Sequence, residues 1–177
     1  MRVAVLRGDI AAQEADAIVN AANSALSDGA GVNGALHAAA GPGLAAACRE
    51  LRRGDLPRGL PVGSAVATTA GRLAARWVIH TVGPNRHAGE TDPALLASCF
   101  TSSLSVAAGL GARSVAFPAI GAGIYGWDAA EVADIAAGAL ARWSAADAGG
   151  SIDEVRFVLF GPEAEAEFRR AFAPRPD

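Results

Sequence analysis

Two asparagines, Asn20 and Asn23, follow an apolar run that begins at Ala17. A carboxamide at the end of a buried strand is costly unless its donor and acceptor are both satisfied. Ribose hydroxyls suit both functions. Asn20-Ala21-Ala22-Asn23-Ser24 leads into Asp28-Gly29-Ala30-Gly31-Val32-Asn33-Gly34 and then Ala35-Leu36-His37. Glycines there permit positive φ and close backbone approach, and a helix starting in this stretch would present free N–H groups to a phosphate. The plainer alternative is an asparagine-rich turn with a glycine-rich cap. A second glycine-rich stretch, Phe117-Pro118-Ala119-Ile120-Gly121-Ala122-Gly123-Ile124-Tyr125-Gly126-Trp127, lies between a strand candidate and a helix candidate. Backbone N–H groups in such a turn can cradle a diphosphate. Tyr125 suits packing against a sugar, or with Trp127 it simply covers the core. In the third stretch, Gly8-Asp9-Ile10, the Asp9 carboxylate can accept from an exocyclic amine such as that of adenine, or it caps a helix. On three residues alone, the cap is the better reading.

These loops need a scaffold, and the hydrophobic pattern supplies one. Short apolar runs alternate with longer alanine-rich stretches, the pattern of an α/β sandwich. Strands are expected at Val3 to Leu6, Ala17 to Asn20, Ser64 to Thr69, Trp77 to Thr81, Ser114 to Pro118 and Val155 to Phe160. Helices are expected at Gly31 to Ala40, Gly43 to Arg53, Pro93 to Gly109, Asp128 to Ala145 and Pro162 to Phe172. Pro93 and Pro162 suit a first helical turn, Asp92 suits a cap, and Gly149-Gly150 breaks the fourth helix. The three candidate loops then follow strands, as ligand loops of open α/β sheets do. Residues 1–173 read as one domain, with 174–177 as a loose tail.

The chain has 177 residues, 51% of them hydrophobic and 19% charged, enough apolar content for a sizeable core. Every basic residue apart from histidine is arginine, and the formal net charge is -3. That balance argues against non-specific nucleic-acid binding, so phosphate recognition must lean on backbone N–H groups and helix ends. Cys48 and Cys99 read as buried small apolar residues rather than a disulfide or metal pair. The first seven residues are too short an apolar run for a signal peptide, and no stretch reaches a membrane-spanning length. A cytoplasmic monomer is the expectation.

Taken together, the stretches resemble a macrodomain, and more narrowly the MacroD-type branch. Gly8-Asp9-Ile10, Ala15 to Ser24, Gly31 to Gly41, Val78-Ile79-His80-Thr81-Val82-Gly83-Pro84 and Ala116 to Gly126 carry the resemblance, in the family's order. It implies a three-layer α/β/α sandwich with a central mixed sheet, a cleft for ADP-ribose, and no cofactor or metal. The implied partners are ADP-ribose and mono-ADP-ribosylated proteins. By that resemblance Asp9 holds the adenine amino group, with the Ile10 backbone and Phe160 nearby. Asn20, Ala22 and Asn23 serve the distal ribose, and Gly31, Val32 and Asn33 form one wall. Pro118, Gly121, Ala122, Gly123, Ile124 and Tyr125 form the other, with Tyr125 against the distal ribose. Asn23, Gly31, Val32, Asn33 and Tyr125 are the candidates for the reacting end. His80 reads as structural, and His37 as orienting the loop.

One departure matters. Where the hydrolytic branch has Val-Asp-Gly, this chain has Val32-Asn33-Gly34. An amide can orient a water but cannot take its proton. Asp28 is the nearest carboxylate in the loop. The implied activity is hydrolysis of mono-ADP-ribose from acidic side chains by a substrate-activated water, attenuated by Asn33. The alternatives are an ADP-ribose reader without catalysis and an O-acetyl-ADP-ribose deacetylase.

Overall fold

The computed structural model describes residues 1–147 and 149–174. Its strands are β1 (Arg2–Arg7), β2 (Ala17–Ala21), β3 (Ala65–Thr69), β4 (Trp77–Thr81), β5 (Ser114–Phe117) and β6 (Glu154–Leu159). The helices are α1 (Gly31–Ala40), α2 (Pro42–Arg53), α3 (Pro93–Gly109), α4 (Ala129–Ala146) and α5 (Pro162–Ala171). Sheet order is β1-β6-β5-β2-β4-β3, with β3 antiparallel to β4 and the remaining pairs parallel.

The inner strands are buried on both faces, and their alternation divides two cores. Val19, Ile79, Val115, Phe117, Phe157 and Leu159 face one way, onto Leu96, Phe100 and Leu104 of α3, Val132 and Ala136 of α4, and Phe168 of α5. Their neighbours Ile18, Val78, Ala116 and Val158 face the other way, onto Leu36 and Ala40 of α1 and Leu44 of α2. The result is the expected three-layer α/β/α sandwich around a mixed sheet. Phe157 anchors the larger core, with ring centroids 4.8 Å from Phe168 and 4.9 Å from Phe172.

Element ends carry the few differences from expectation. Pro118 and Phe160 fall just outside β5 and β6 instead of ending them. Each turns away from the sheet at its carboxyl edge, and both line the cleft described below. Asp128 caps α4 rather than opening it, and Asp92 caps α3. α4 ends at Ala146, shortly before the Gly149-Gly150 pair. Of the expected loose tail, residues 175–177 lie outside the described residues. Cys48 and Cys99 are free and buried, and burial pushes both thiols up to about 11.

Parallel strands put four loops at one edge. The loops after β1, β2, β5 and β6 all meet there, as open α/β sheets require. At the opposite edge Asp16 ties β2 to β5. Its carboxylate accepts from the N–H of Arg113 at 2.8 Å and of Ser114 at 3.0 Å.

Candidate ligand-binding cleft

The four loops enclose a cleft of about 640 Å³, within the range of small-molecule sites. Gly8, Asp9 and Ile10 line it after β1; Ala21, Ala22 and Asn23 after β2. Gly29 to Asn33 and Ala35 supply one side wall, Pro118, Ala119 and Gly121 to Tyr125 the other. Phe160, Gly161 and Ala164 close the end over β6. Asp9 is the one charged side chain among these lining residues.

Backbone N–H groups dominate the polar chemistry of the side walls. α1 starts at Gly31 (φ +63), and its N-cap Ala30 offers no side-chain acceptor. The first-turn N–H groups of Gly31, Val32 and Asn33 therefore point along the helix axis with the positive end of the helix dipole behind them. Across the cleft, Pro118 to Trp127 folds into consecutive tight turns. Ala122 N–H donates to Ala119 O at 3.1 Å, Gly126 N–H to Gly123 O at 3.3 Å and Trp127 N–H to Gly121 O at 3.1 Å. That pattern leaves the N–H groups of Gly121, Gly123, Ile124 and Tyr125 without an acceptor among the described residues.

The second wall is braced from outside the cleft. Gly121 adopts φ +84, and a Cβ there would meet Trp127 Cδ1 at 3.1 Å. Trp127 is buried; its Nε1–H donates to Pro84 O at 2.8 Å, and the Arg86 guanidinium stacks on its ring at 3.8 Å. Arg86 also pairs with Glu131 at 2.7 Å. So Trp127 supports the loop, whereas Tyr125 lines the cleft, half-buried, with burial raising its phenol pKa.

The first wall is stitched by side-chain amides. Asn33 Oδ1 accepts from Asn20 Nδ2 at 2.8 Å, and Asn33 Nδ2 donates to Ser27 O at 2.8 Å. Ser27 O also accepts from Asn23 Nδ2 at 3.0 Å, and Asn23 Oδ1 accepts from Ser27 N–H at 3.1 Å. Gly34 sits under the loop, where a Cβ would lie 2.2 Å from Gly29 O. Both Asn23 and Asn33 line the cleft, and Asn33 is buried at 5% exposure.

Asn20 requires a correction. It is fully buried and does not line the cleft. The reason is strand parity. Asn20 shares a strand face with Ile18, and in the ladder it sits opposite His80. Its Nδ2 donates both to Asn33 and to His80 Nδ1 at 3.2 Å, while its own Oδ1 is buried without a partner among the described residues. Because His80 Nδ1 accepts, the ring proton is on Nε2, which reaches Thr68 Oγ1 at 2.9 Å. Burial, with a smaller push from His37, holds the His80 pKa down at about 3, so the ring is neutral.

Three other residues fall as follows. Asp9 is the N-cap of the short 3-10 turn Ile10–Ala12, with Oδ1 accepting from Ala11 N–H at 2.8 Å. Its side chain remains exposed at the cleft, so Oδ2 is open to a ligand. Asp28 bonds its own loop at Gly29 N–H (2.7 Å) and is not among the lining residues. His37 is buried on α1 away from the lining, with Nε2 unpartnered among the described residues, so no hydrogen bond from that nitrogen orients the loop. Sequence reasoning missed Gly161 and Ala164. The signal for them was the Phe160-Gly161-Pro162 junction, a strand end running straight into a helix whose cap, Gly161, makes no side-chain bond.

Comparison with known proteins places this architecture. The Macro domain family model matches residues 19–136. A macro domain-containing protein of Streptomyces griseus is 54% identical over 173 residues, covering 98% of this chain and 96% of its own length. An O-acetyl-ADP-ribose deacetylase of Klebsiella pneumoniae is 44% identical over 179 residues, covering 97% of each. Among solved structures, the Oceanobacillus iheyensis macrodomain with ADP superposes at a TM-score of 0.87, with 35% identity over 94% of this chain and 87% of that one. A glycine-to-valine variant of the same macrodomain is known with ADPR at the same TM-score. The chain belongs to the macrodomain family.

Proposed function

We propose that this chain binds ADP-ribose in the cleft and hydrolyses the ester joining ADP-ribose to an acidic protein side chain. The observation that carries the reading is the pair of opposed backbone donor sets, at Gly31 to Asn33 and at Gly121 to Tyr125, with no cationic side chain among the lining residues. Such walls suit a diphosphate, whose charge they meet with fixed dipoles. Asp9 Oδ2 and the exposed ring of Phe160 suit an adenine at one end, and Asn23 and Tyr125 a ribose at the other. A neighbour solved with ADPR and a relative named for O-acetyl-ADP-ribose support the ligand class.

In the proposed step, water adds to C1 of the distal ribose. The bond from C1 to the ester oxygen breaks, and the carboxylate departs with the bonding pair. The proton from water passes to a phosphate oxygen of the substrate and then to solvent. A carboxylate leaves readily, so the chain's contribution is position: Asn23 and the N–H groups of Gly31 and Val32 fix the water and the distal ribose. The MacroD-type pattern of the loops and an ester-cleaving relative support hydrolysis. The same cleft would admit O-acetyl-ADP-ribose, the smaller ester.

A reader function is the second reading. It is favoured by the absence of any carboxylate or imidazole other than the capping Asp9 among the lining residues. Release of ADP-ribose from a glutamate-linked ADP-ribosylated protein, run beside acetate release from O-acetyl-ADP-ribose, separates the readings. Turnover of the protein ester supports the proposal. Saturable ADP-ribose binding with neither product released makes the chain a reader.

A further inference from the structure

Asn33 occupies a position where hydrogen-bond direction is dictated by its partners. The Ser27 carbonyl can only accept, so Asn33 turns Nδ2 to it and Oδ1 to Asn20 Nδ2, whose second proton meets His80 Nδ1 at 3.2 Å. Both Asn20 Nδ2 protons are then spent, one on His80 and one on Asn33 Oδ1. Asn33 therefore accepts on that side, and on the other its Nδ2 donates to Ser27 O at 2.8 Å. One terminal group must accept and donate at once. A carboxamide does this, and so does a protonated carboxyl group. An ionised carboxylate does not, because its second oxygen would face the Ser27 oxygen at hydrogen-bond distance.

We propose that Asn33 is a positioning residue that clasps Ser27 and so fixes the Asn23–Ala30 loop as one wall of the cleft. On this reading the amide N–H is what the position requires in this chain, and an ionised aspartate there would open the wall rather than supply a base. The consequence for ligand affinity rests on the ADP-ribose reading above; the clasp itself does not. Around the clasp stand His37 one turn along α1, His80 behind Asn20, Asp28 in the loop, and Asp9 on the 3-10 turn packed against α1. The wild-type chain carries all four, so it is the reference at every pH.

The test compares wild type, Asn33→Asp and Asn33→Ala at pH 5 and pH 8. The readouts are amide hydrogen-exchange protection of the 23–30 segment without ligand, calorimetric affinity for ADP-ribose, and turnover of the glutamate-linked ester. Melting curves confirm that each variant is folded, and Asn33→Ala carries the test if Asn33→Asp is not. At this buried position, with the Ser27 oxygen facing it, the new carboxyl of Asn33→Asp should hold its proton well above the ordinary aspartate range. Protection and affinity should then match wild type within about threefold at pH 5 and fall about tenfold at pH 8. In Asn33→Ala both should fall about tenfold at both pH values. The opposite sign, an Asn33→Asp turnover that exceeds wild type and climbs as the carboxyl ionises, overturns the proposal in favour of an attenuated base position. So does an Asn33→Asp chain as protected as wild type at pH 8, or an Asn33→Ala chain as protected as wild type. If wild type binds no ADP-ribose, the functional reading fails, and the exchange data alone decide the clasp.

Discussion

The two side walls of the cleft present the same chemistry by different means. From Asn23 to Asn33 the backbone is held by carboxamides that reach back through Asn20 to the neutral His80. From Pro118 to Trp127 it is held by its own turns, by positive φ at Gly121 and Gly126, and by Trp127 pressed between Arg86 and Pro84 O. The first wall depends on which polar side chains are present and on their protonation. Both need a missing Cβ, at Gly34 under the first wall and at Gly121 in the second, but among the described residues no side-chain amide holds the second. Equivalent backbone donors therefore do not imply equivalent tolerance to mutation or pH.

The largest expected effect is at the hinge of the first wall. In Gly34→Ala the new Cβ would meet Gly29 O at 2.2 Å, and that oxygen is backbone, so the loop must move. ADP-ribose affinity should drop roughly 30- to 100-fold, in line with overpacking costs of about 1–3 kcal/mol, as read by calorimetry. A smaller penalty is expected at Gly121→Ala, where the cost is mainly the left-handed backbone, about 1–2 kcal/mol, or about tenfold in affinity. Equal losses at both sites would mean that the backbone clash at Gly34 and the left-handed strain at Gly121 weigh alike. Next comes Phe160→Ala. The ring is 94% exposed, so melting should shift little, while ADP-ribose affinity falls about five- to tenfold through lost stacking on adenine.

The first wall should also be the acid-sensitive one. His80 binds its proton far less readily folded, at about 3, than an ordinary histidine near 6.5. Between those values the unfolded chain takes up more protons, so stability should fall as pH drops from about 6.5 towards 3. Melting curves in that window, with the exchange of residues 23–30 followed in parallel, should show the first wall loosening before the second. The smallest effect concerns salt. With no cation among the lining residues to be screened, ADP-ribose affinity should change less than about threefold between 50 and 500 mM salt. A steep salt slope would mean that an arginine outside the lining reaches the ligand.

Much of the scaffold was legible because it follows from the hydrophobic pattern and the helix starts. Short apolar runs in β2, β4, β5 and β6, and proline or aspartate at the starts of α3, α4 and α5, fix element positions to within a residue or two. The loops were legible as glycine and asparagine in excess of what a core needs. The direction of Asn20 was misread. Asn20 and Asn23 look alike in sequence, yet one faces inward to His80 and the other lines the cleft. Period two held the clue, since Asn20 follows Ile18, and His80 follows Val78, by two residues on the same face. The clasp on Ser27 was not legible at all, because its acceptor is a backbone carbonyl that any residue would provide.

The most direct test of the central claim is calorimetric titration of ADP-ribose into the wild-type chain and into Gly34→Ala, side by side in metal-free buffer. Saturable 1:1 binding by wild type that weakens at least 30-fold in the folded variant is the expected result. No binding by wild type, or equal binding by both, would contradict a cleft built from two walls of backbone donors.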